Sequence, residues 1–456
     1  MTHPVMTYPR HLRAILVLGL PLIGGHLAQF AIGLTDTVML GWYGVEALAA
    51  VTLAATLFFV LFIMGAGFAF AVMPMVATFY ARDDAVMVRR TTRMGLWISL
   101  GFAALALPLL WFSGPILRGL GQTEPLSQAA QDYLRIAALG LVPALMLMVL
   151  KSFLAALERT QIVLWVTLAA AVSNGLLNWA LIFGNWGAPE LGIRGAAIAS
   201  VVTHCVSLMG VVAYVMWRLP EYTLFARFWR ADSEMLARVF RLGWPISLTN
   251  LSEVGLFAAS AIMMGWLGTL PLAAHGIALQ LASATFMIHL GLSNVATVRV
   301  GNALGRDDAD HMMRGAVTVI AASVVVSLAT VVVFLGWPEP LISVFLDSAD
   351  PDRALIIGIG VTLVAIAGLF QLVDGAQAVA LGLLRGLQDT KVPLAIAAVS
   401  YWVVGISASY GLGFGLGWGG PGVWLGLCLG LGVAAVLLNW RFFGKRDLLL
   451  VGVTGK

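Results

Sequence analysis

Charge is what this chain has least of. Asp, Glu, Lys and Arg make up 11% of its 456 residues, under half of the roughly 25% found in soluble domains. So few charges cannot cover a water-exposed surface, which excludes a soluble globular protein. Cysteine is nearly absent. Cys205 and Cys428 lie far apart, each inside an apolar stretch, which argues against a disulfide framework or a thiolate metal centre. No Gly-x-x-x-x-Gly-Lys loop occurs, so a nucleotide-driven pump is disfavoured. His-Glu-x-x-His, Gly-x-Ser-x-Gly and His-x-x-x-x-Asp patterns are also missing, which argues against a membrane-embedded enzyme. The basic residues are scattered singly without interleaved aromatics, unlike a nucleic-acid surface. Period-two alternation is lacking too, which favours helices over a membrane β-barrel.

What is present is apolar. Hydrophobic residues make up 60% of the chain and the mean hydropathy is +0.95. A helix crossing a bilayer needs about 20 mostly apolar residues. Twelve such runs are readable, at about 12–42, 47–79, 94–113, 133–155, 161–184, 192–217, 240–267, 273–298, 315–336, 354–383, 392–414 and 420–442. The fold class expected is therefore all-α and integral to the membrane. No cleavage site follows the first run, so it is expected to be retained. Of the 26 Lys and Arg, 22 fall in the termini and the even-numbered loops, including Arg10, Arg13, Arg82, Lys151, Arg241, Arg385, Arg446 and Lys456. Positive charge concentrates on the cytoplasmic side, so both termini are expected there. The net charge of +4 is a by-product of that asymmetry.

The chain is duplicated. Leu18-Gly19-Leu20-Pro21 recurs as Leu242-Gly243-Trp244-Pro245, and Arg82-Asp83-Asp84-Ala85 as Arg306-Asp307-Asp308-Ala309, at a constant offset of 224. Farther on, Leu157 and Thr160 match Leu387 and Thr390 at an offset of 230. The expected organisation is an N-terminal six-helix lobe (1–217), a cytoplasmic linker (218–239), a C-terminal six-helix lobe (240–442) and a cytoplasmic tail (443–456). Six is even, so the lobes are parallel repeats about an axis along the membrane normal, with a central cleft between them.

Three carboxylates lie inside the apolar runs: Asp36, Glu253 and Asp374. An ionised acid at the bilayer centre costs roughly 2.5–3.5 kcal/mol on insertion scales, and such residues usually handle ions, protons or charged solutes. By helical rise, Glu253 is about 18 Å beyond Arg241 and Asp374 about 17 Å before Arg385, so both are expected near the midplane. No Lys or Arg is expected deep in any run to neutralise them. Two acids at matched depth take up a proton or bind a cation, and oxygen donors suit a hard ion such as Na⁺. By offset, Asp36 corresponds to Ser260 and Glu253 to Gln29, so the duplication does not account for the acids and each lobe is expected to hold its own polar site. Asn174 and Asn178 are one turn apart and could join Asp36, although ordinary hydrogen bonding between helices fits them nearly as well. Gln280 and Gln371 carry the same ambiguity.

The pattern resembles the multidrug and toxic compound extrusion (MATE) family, in its NorM-like branch. The carriers are Leu20-Pro21 followed by Thr35-Asp36-Thr37-Val38-Met39, Ser252-Glu253, Ala273-Ala274-His275, Asp374-Gly375 with Gly386-Leu387-Gln388-Asp389-Thr390, and Asn174 with Asn178. The resemblance spans essentially the whole chain. It implies secondary active efflux of hydrophobic and cationic drugs or toxins in exchange for Na⁺ or H⁺, by alternating access, from the bacterial inner membrane. By position it implies Glu253 and Asp374 as one cation site, for Na⁺. It likewise implies Asp36, Asn174 and Asn178 as a second site, with Ser200 where relatives often have Thr. Phe257, Gln280, Asp36 and Asp374 are the implied substrate contacts. A monomer in membrane lipid, with no cofactor and no nucleic-acid partner, is expected. Two departures stand out: Gly276 replaces a Gln common in relatives, and Phe370 stands where some have Tyr. The nearest rival is a flippase for lipid-linked oligosaccharide, whose relatives carry more basic residues around the cavity.

Overall fold

The computed structural model describes residues 6–347 and 351–454, with side chains to 445; Lys456 and the Arg446 side chain lie outside them. Among the described residues every regular element is helical. Twelve helices are long and apolar enough to span a membrane: α1 (Tyr8–Tyr43), α2 (Val45–Tyr80), α3 (Ala85–Trp111), α4 (Glu124–Ala156), α5 (Thr160–Phe183), α6 (Ile193–Arg218), α7 (Ser233–Leu267), α8 (Thr269–Gly305), α9 (Ala309–Gly336), α10 (Arg353–Gly386), α11 (Lys391–Gly415) and α12 (Gly419–Lys445). Each contains one of the apolar runs or overlaps it closely.

Several helices start before their apolar run because a polar side chain caps them. Asp84 accepts a hydrogen bond from the Met87 amide at 2.9 Å, and its duplicate Asp308 accepts one from the His311 amide at 2.9 Å. Each satisfies an orphan donor of the first turn. The preceding residues, Asp83 and Asp307, sit at φ +55 and +53, so the repeated Arg-Asp-Asp-Ala loops share one left-handed turn. Glu158 and Gln388, equivalent at the second offset, also match, at φ +60 and +58. The duplication read in the sequence thus extends to loop geometry.

Packing divides the chain into two compact units, one of residues Gly24–Ser247 and the other of the chain up to Ile23 together with Leu248 onward. In the N-terminal unit α4 packs on α2, α3 and α6, around Leu40, Ala54, Leu110, Leu134, Leu141, Leu145 and Ala197. In the C-terminal unit α10 takes the same place, packed on α8, α9 and α12. Each unit also takes in the opening turns of a helix that finishes in the other. The start of α7 lies on α2 in the N-terminal unit. There a Cβ on Gly67 would come within 2.5 Å of the Ser247 amide nitrogen. The start of α1 lies on α8 in the C-terminal unit, with Gly291 against Ile23. The two breaks, after Ile23 and after Ser247, are equivalent positions of the duplication. Pro21 and Pro245 lie two residues before them, inside helices that continue past them. A proline removes one backbone hydrogen bond from its helix, which loosens the ladder where the chain changes unit.

Candidate functional site

In the N-terminal unit, Asp36 comes from α1 and Asn174 and Asn178 from successive turns of α5. The Asn178 amide donates to the Asp36 carboxylate and also to Asn174 Oδ1 at 3.1 Å. Asn174 stands within electrostatic reach of the same carboxylate. Both asparagines are buried, and Asn174 Nδ2 and Asn178 Oδ1 have no partner within the protein. The expected trio is therefore assembled, with polar capacity to spare. Tyr133 of α4 joins it: its ring is buried, and it feels the charge of Asp36. Sequence reasoning misses Tyr133, because a lone Tyr in an apolar run reads as packing; its only signal is the phenol itself.

In the C-terminal unit, Glu253 of α7 and Asp374 of α10 act on each other electrostatically. Asp374 is 2% exposed and its Oδ1 has no hydrogen-bond partner. Two carboxylates that act on each other in a poorly polarisable interior repel, and a proton or a cation relieves the repulsion. Tyr401 faces both acids, and the Gln377 amide donates to its hydroxyl. Tyr401 sits in a widened π-helical turn of α11, Val399–Gly405, a local form frequent at functional sites. Beside the acids runs an aromatic wall. Phe257, one turn after Glu253, meets Phe370 edge-on at 6.0 Å, and Phe370 meets Trp424 at 5.6 Å. Trp424 donates to His275 Nδ1 at 3.1 Å, and His275 Nε2 lies 3.5 Å from Ser260 Oγ.

Gln280 is partly exposed on α8. Among the described residues no hydrogen bond ties it to the acids. Gln371 donates to the Ala282 carbonyl at 3.2 Å and is fully buried, which makes it a tie between α10 and α8. No cluster of three or more His, Cys, Asp or Glu capable of holding a metal occurs among the described residues.

One expectation is corrected. Counting residues to helix ends implies that no cation lies in the interior. The fold instead encloses Arg385, whose guanidinium donates to Asn250 Oδ1 at 2.9 Å and whose charge acts on Glu253. Lys151 of α4 is half-buried as well, and its charge acts on His26 and His204. Both lie near helix ends in sequence, and counting along a helix does not show which side chains lie beside them. Arg385 compensates Glu253 in part, whereas among the described residues no cation acts on Asp374.

The sequence pattern of the MatE family matches residues 21–180 and 245–410. The chain is 48% identical to the "Probable multidrug resistance protein NorM" of Agrobacterium fabrum, across 96% of this chain and 95% of that one. It is 46% identical to the protein of the same name from Rhizobium meliloti, across 96% and 94%. Among solved structures it is similar to the outward-facing conformation of a multidrug resistance MATE family transporter of the MOP superfamily, with a TM-score of 0.87, 19% identity, and coverage of 98% and 99%. It is also similar to the eukaryotic MATE transporter AtDTX14, with a TM-score of 0.85, 20% identity, and coverage of 97% and 98%. At these identities the structural matches establish the fold.

Proposed function

Because this chain belongs to the MatE family as a NorM-like multidrug efflux transporter, we propose that it is an antiporter. In this reading it exports hydrophobic and cationic compounds in exchange for inward Na⁺ or H⁺. The observation that carries the reading is the Glu253–Asp374 pair: two interior carboxylates act on each other, and one of them keeps an unpartnered oxygen. A counter-charge that enters, neutralises Asp374 and leaves on the other face changes which arrangement of the helices is favoured. The sites are then open first to one face and then to the other. Asp36 with Asn174 and Asn178 forms the second cation site, and Phe257, Gln280, Asp36 and Asp374 are the substrate contacts. One elementary charge crossing 100 mV releases about 2.3 kcal/mol. A hundredfold solute gradient requires about 2.7 kcal/mol, so one or two cations per cycle suffice. The basic asymmetry of the loops supports an inner-membrane orientation with both termini cytoplasmic.

The test is dye efflux in proteoliposomes with Na⁺ and pH gradients imposed separately. Efflux is expected under at least one gradient in the wild type and under neither in Glu253→Gln or Asp374→Asn. A variant that exports at the wild-type rate overturns the assignment.

A further inference from the structure

The C-terminal unit buries a histidine that the cation site does not use. His289 of α8 is fully buried, with its Nδ1 3.0 Å from Ser323 Oγ and its Nε2 3.3 Å from Ser327 Oγ, both on α9. The Ser327 hydroxyl in turn donates to the Gln371 carbonyl of α10 at 3.0 Å. A serine has one hydroxyl hydrogen. Ser327 gives it to Gln371, so its oxygen accepts from His289, and the imidazole carries hydrogen on Nε2. In the neutral ring Nδ1 is then bare and accepts from Ser323. Every hydrogen in the chain points one way, from Ser323 through His289 and Ser327 into the backbone of α10. Hydrogen bonds aligned in this manner strengthen one another.

The ring also touches α10 directly. A Cβ on Gly375 would fall 2.6 Å from His289 Cε1 and 2.7 Å from its Nδ1, so imidazole fills the space a side chain would take there. Gly375 follows Asp374, and Gln371 precedes that acid by three residues. The two points held by the histidine and its serine are thus about one helical turn apart and bracket Asp374. Its Oδ1 has no hydrogen-bond partner, so the backbone that carries the carboxylate sets where that oxygen lies. An ordinary core histidine only satisfies its two nitrogens. His289 is satisfied by groups that grip the turn bearing an unpartnered acid.

We propose that His289 is a positioning residue for cation coupling. Through Ser327 and through its contact with Gly375 it holds the turn of α10 that carries Asp374, and so sets how that acid stands against Glu253. The transport consequence rests on the efflux reading; the placement of the carboxylate does not. Repulsion between two acids changes steeply with their separation in a poorly polarisable interior. A small shift of that turn therefore alters how readily Asp374 takes up a proton or a cation.

The experiment compares wild type, His289→Leu and His289→Gln. Leucine cuts both hydrogen bonds, whereas the glutamine amide can accept from Ser323 and donate to Ser327. Dicyclohexylcarbodiimide reacts with protonated carboxyls in apolar surroundings, and peptide mass spectrometry reads its addition to Asp374 in the purified protein across a pH series. A second arm measures the cation concentration that gives half-maximal dye efflux in proteoliposomes. His289→Leu is expected to move the pH of half-labelling by about half a unit or more, and the half-maximal cation concentration by about threefold or more. His289→Gln is expected to return both close to wild type. A purely structural role lowers the melting temperature and leaves both midpoints in place, which overturns the proposal, as does a well-folded His289→Gln that fails to restore them. A labelling midpoint that moves while the efflux midpoint stays overturns the link to coupling. If His289→Leu does not fold, Ser327→Ala removes the tie to the Gln371 carbonyl and keeps the ring; an unmoved labelling midpoint there is equally fatal. A wild type without gradient-driven efflux removes the efflux reading, while the labelling arm, which needs no transport, still decides whether His289 places Asp374.

Discussion

The two units hold carboxylates in an apolar bundle in different ways. In the N-terminal unit a single acid, Asp36, is met by the Asn178 amide, with Asn174 close by. Neutral donors stabilise the charge there without cancelling it. In the C-terminal unit two acids act on each other, with the Arg385 charge acting on Glu253 and none on Asp374. Equivalent positions show how far the copies have diverged. Asp36 aligns with Ser260, which lies near His275, and Glu253 aligns with Gln29. A duplicated scaffold thus supports one site built on hydrogen bonds and another built on repulsion. In the proposed antiport, the second depends more strongly on a mobile counter-charge.

The largest effect should come from cancelling that repulsion. Asp374→Asn is expected to reduce gradient-driven efflux by roughly a hundredfold or more, in line with about 3 kcal/mol for disrupting a buried charge arrangement. Asp36→Asn, which keeps its asparagine neighbours paired, is expected to cost about tenfold. Vesicle efflux rates measure both. Equal losses would erase the distinction between the sites, and the reverse order would transfer coupling to the N-terminal unit.

The scaffold itself allows a second comparison. A Cβ on Gly67 would meet the Ser247 backbone, with its nitrogen at 2.5 Å and its Cα at 2.6 Å, whereas a Cβ on Gly291 meets the Ile23 backbone at 3.0 Å. Backbone cannot rotate away as a side chain can. Gly67→Ala is therefore expected to destabilise by about 2 kcal/mol through overpacking, and Gly291→Ala by less. Melting temperatures in detergent decide this, and a larger loss at Gly291 contradicts it. Asn178→Leu tests the N-terminal site alone. It removes the donor to Asp36 and should lower efflux about tenfold while leaving the Glu253–Asp374 pair intact.

Much of this architecture is legible in the amino-acid order alone. The apolar runs mark twelve helices because a bilayer imposes a length. The constant offset reveals the repeat because Pro21, Pro245 and the two Arg-Asp-Asp-Ala loops are rare enough to exclude chance. Glu253 and Asp374 can be paired by depth, since rise per residue is fixed. Lateral neighbours are not legible. Counting along a helix says how high a residue sits but not what surrounds it, so Arg385 and Lys151 read as interfacial charges, and Tyr133 and Tyr401 read as packing. The exchange of the opening turns of α1 and α7 is equally hidden, because an offset shows which positions are equivalent and not which unit they pack in.

The smallest expected effect separates the units at their ion pairs. In the N-terminal unit Asp232 pairs with Arg90 at 2.5 Å and caps α7 through the Met235 amide at 3.1 Å. In the C-terminal unit Asp389 meets both Arg441 and Lys445 at 2.7 Å, with only 9% of its side chain exposed against 21% for Asp232. Asparagine keeps the cap but removes the charge, so Asp232→Asn isolates the ion pair. The Arg90 guanidinium holds the Asp232 carboxyl below its ordinary value of 3.8. A group lowered on folding contributes above its unfolded value, and that contribution disappears as pH falls through the folded one. The stability gap between wild type and Asp232→Asn should therefore be present at neutral pH, amount to no more than about 1 kcal/mol, and close only below the ordinary carboxylate range. Asp389→Asn, less screened and with two cations left behind, should open a wider gap in the same melts. If Asp232→Asn costs as much as Asp389→Asn at neutral pH, exposure does not set the strength of these ties, and the contrast drawn between the two ion pairs is wrong.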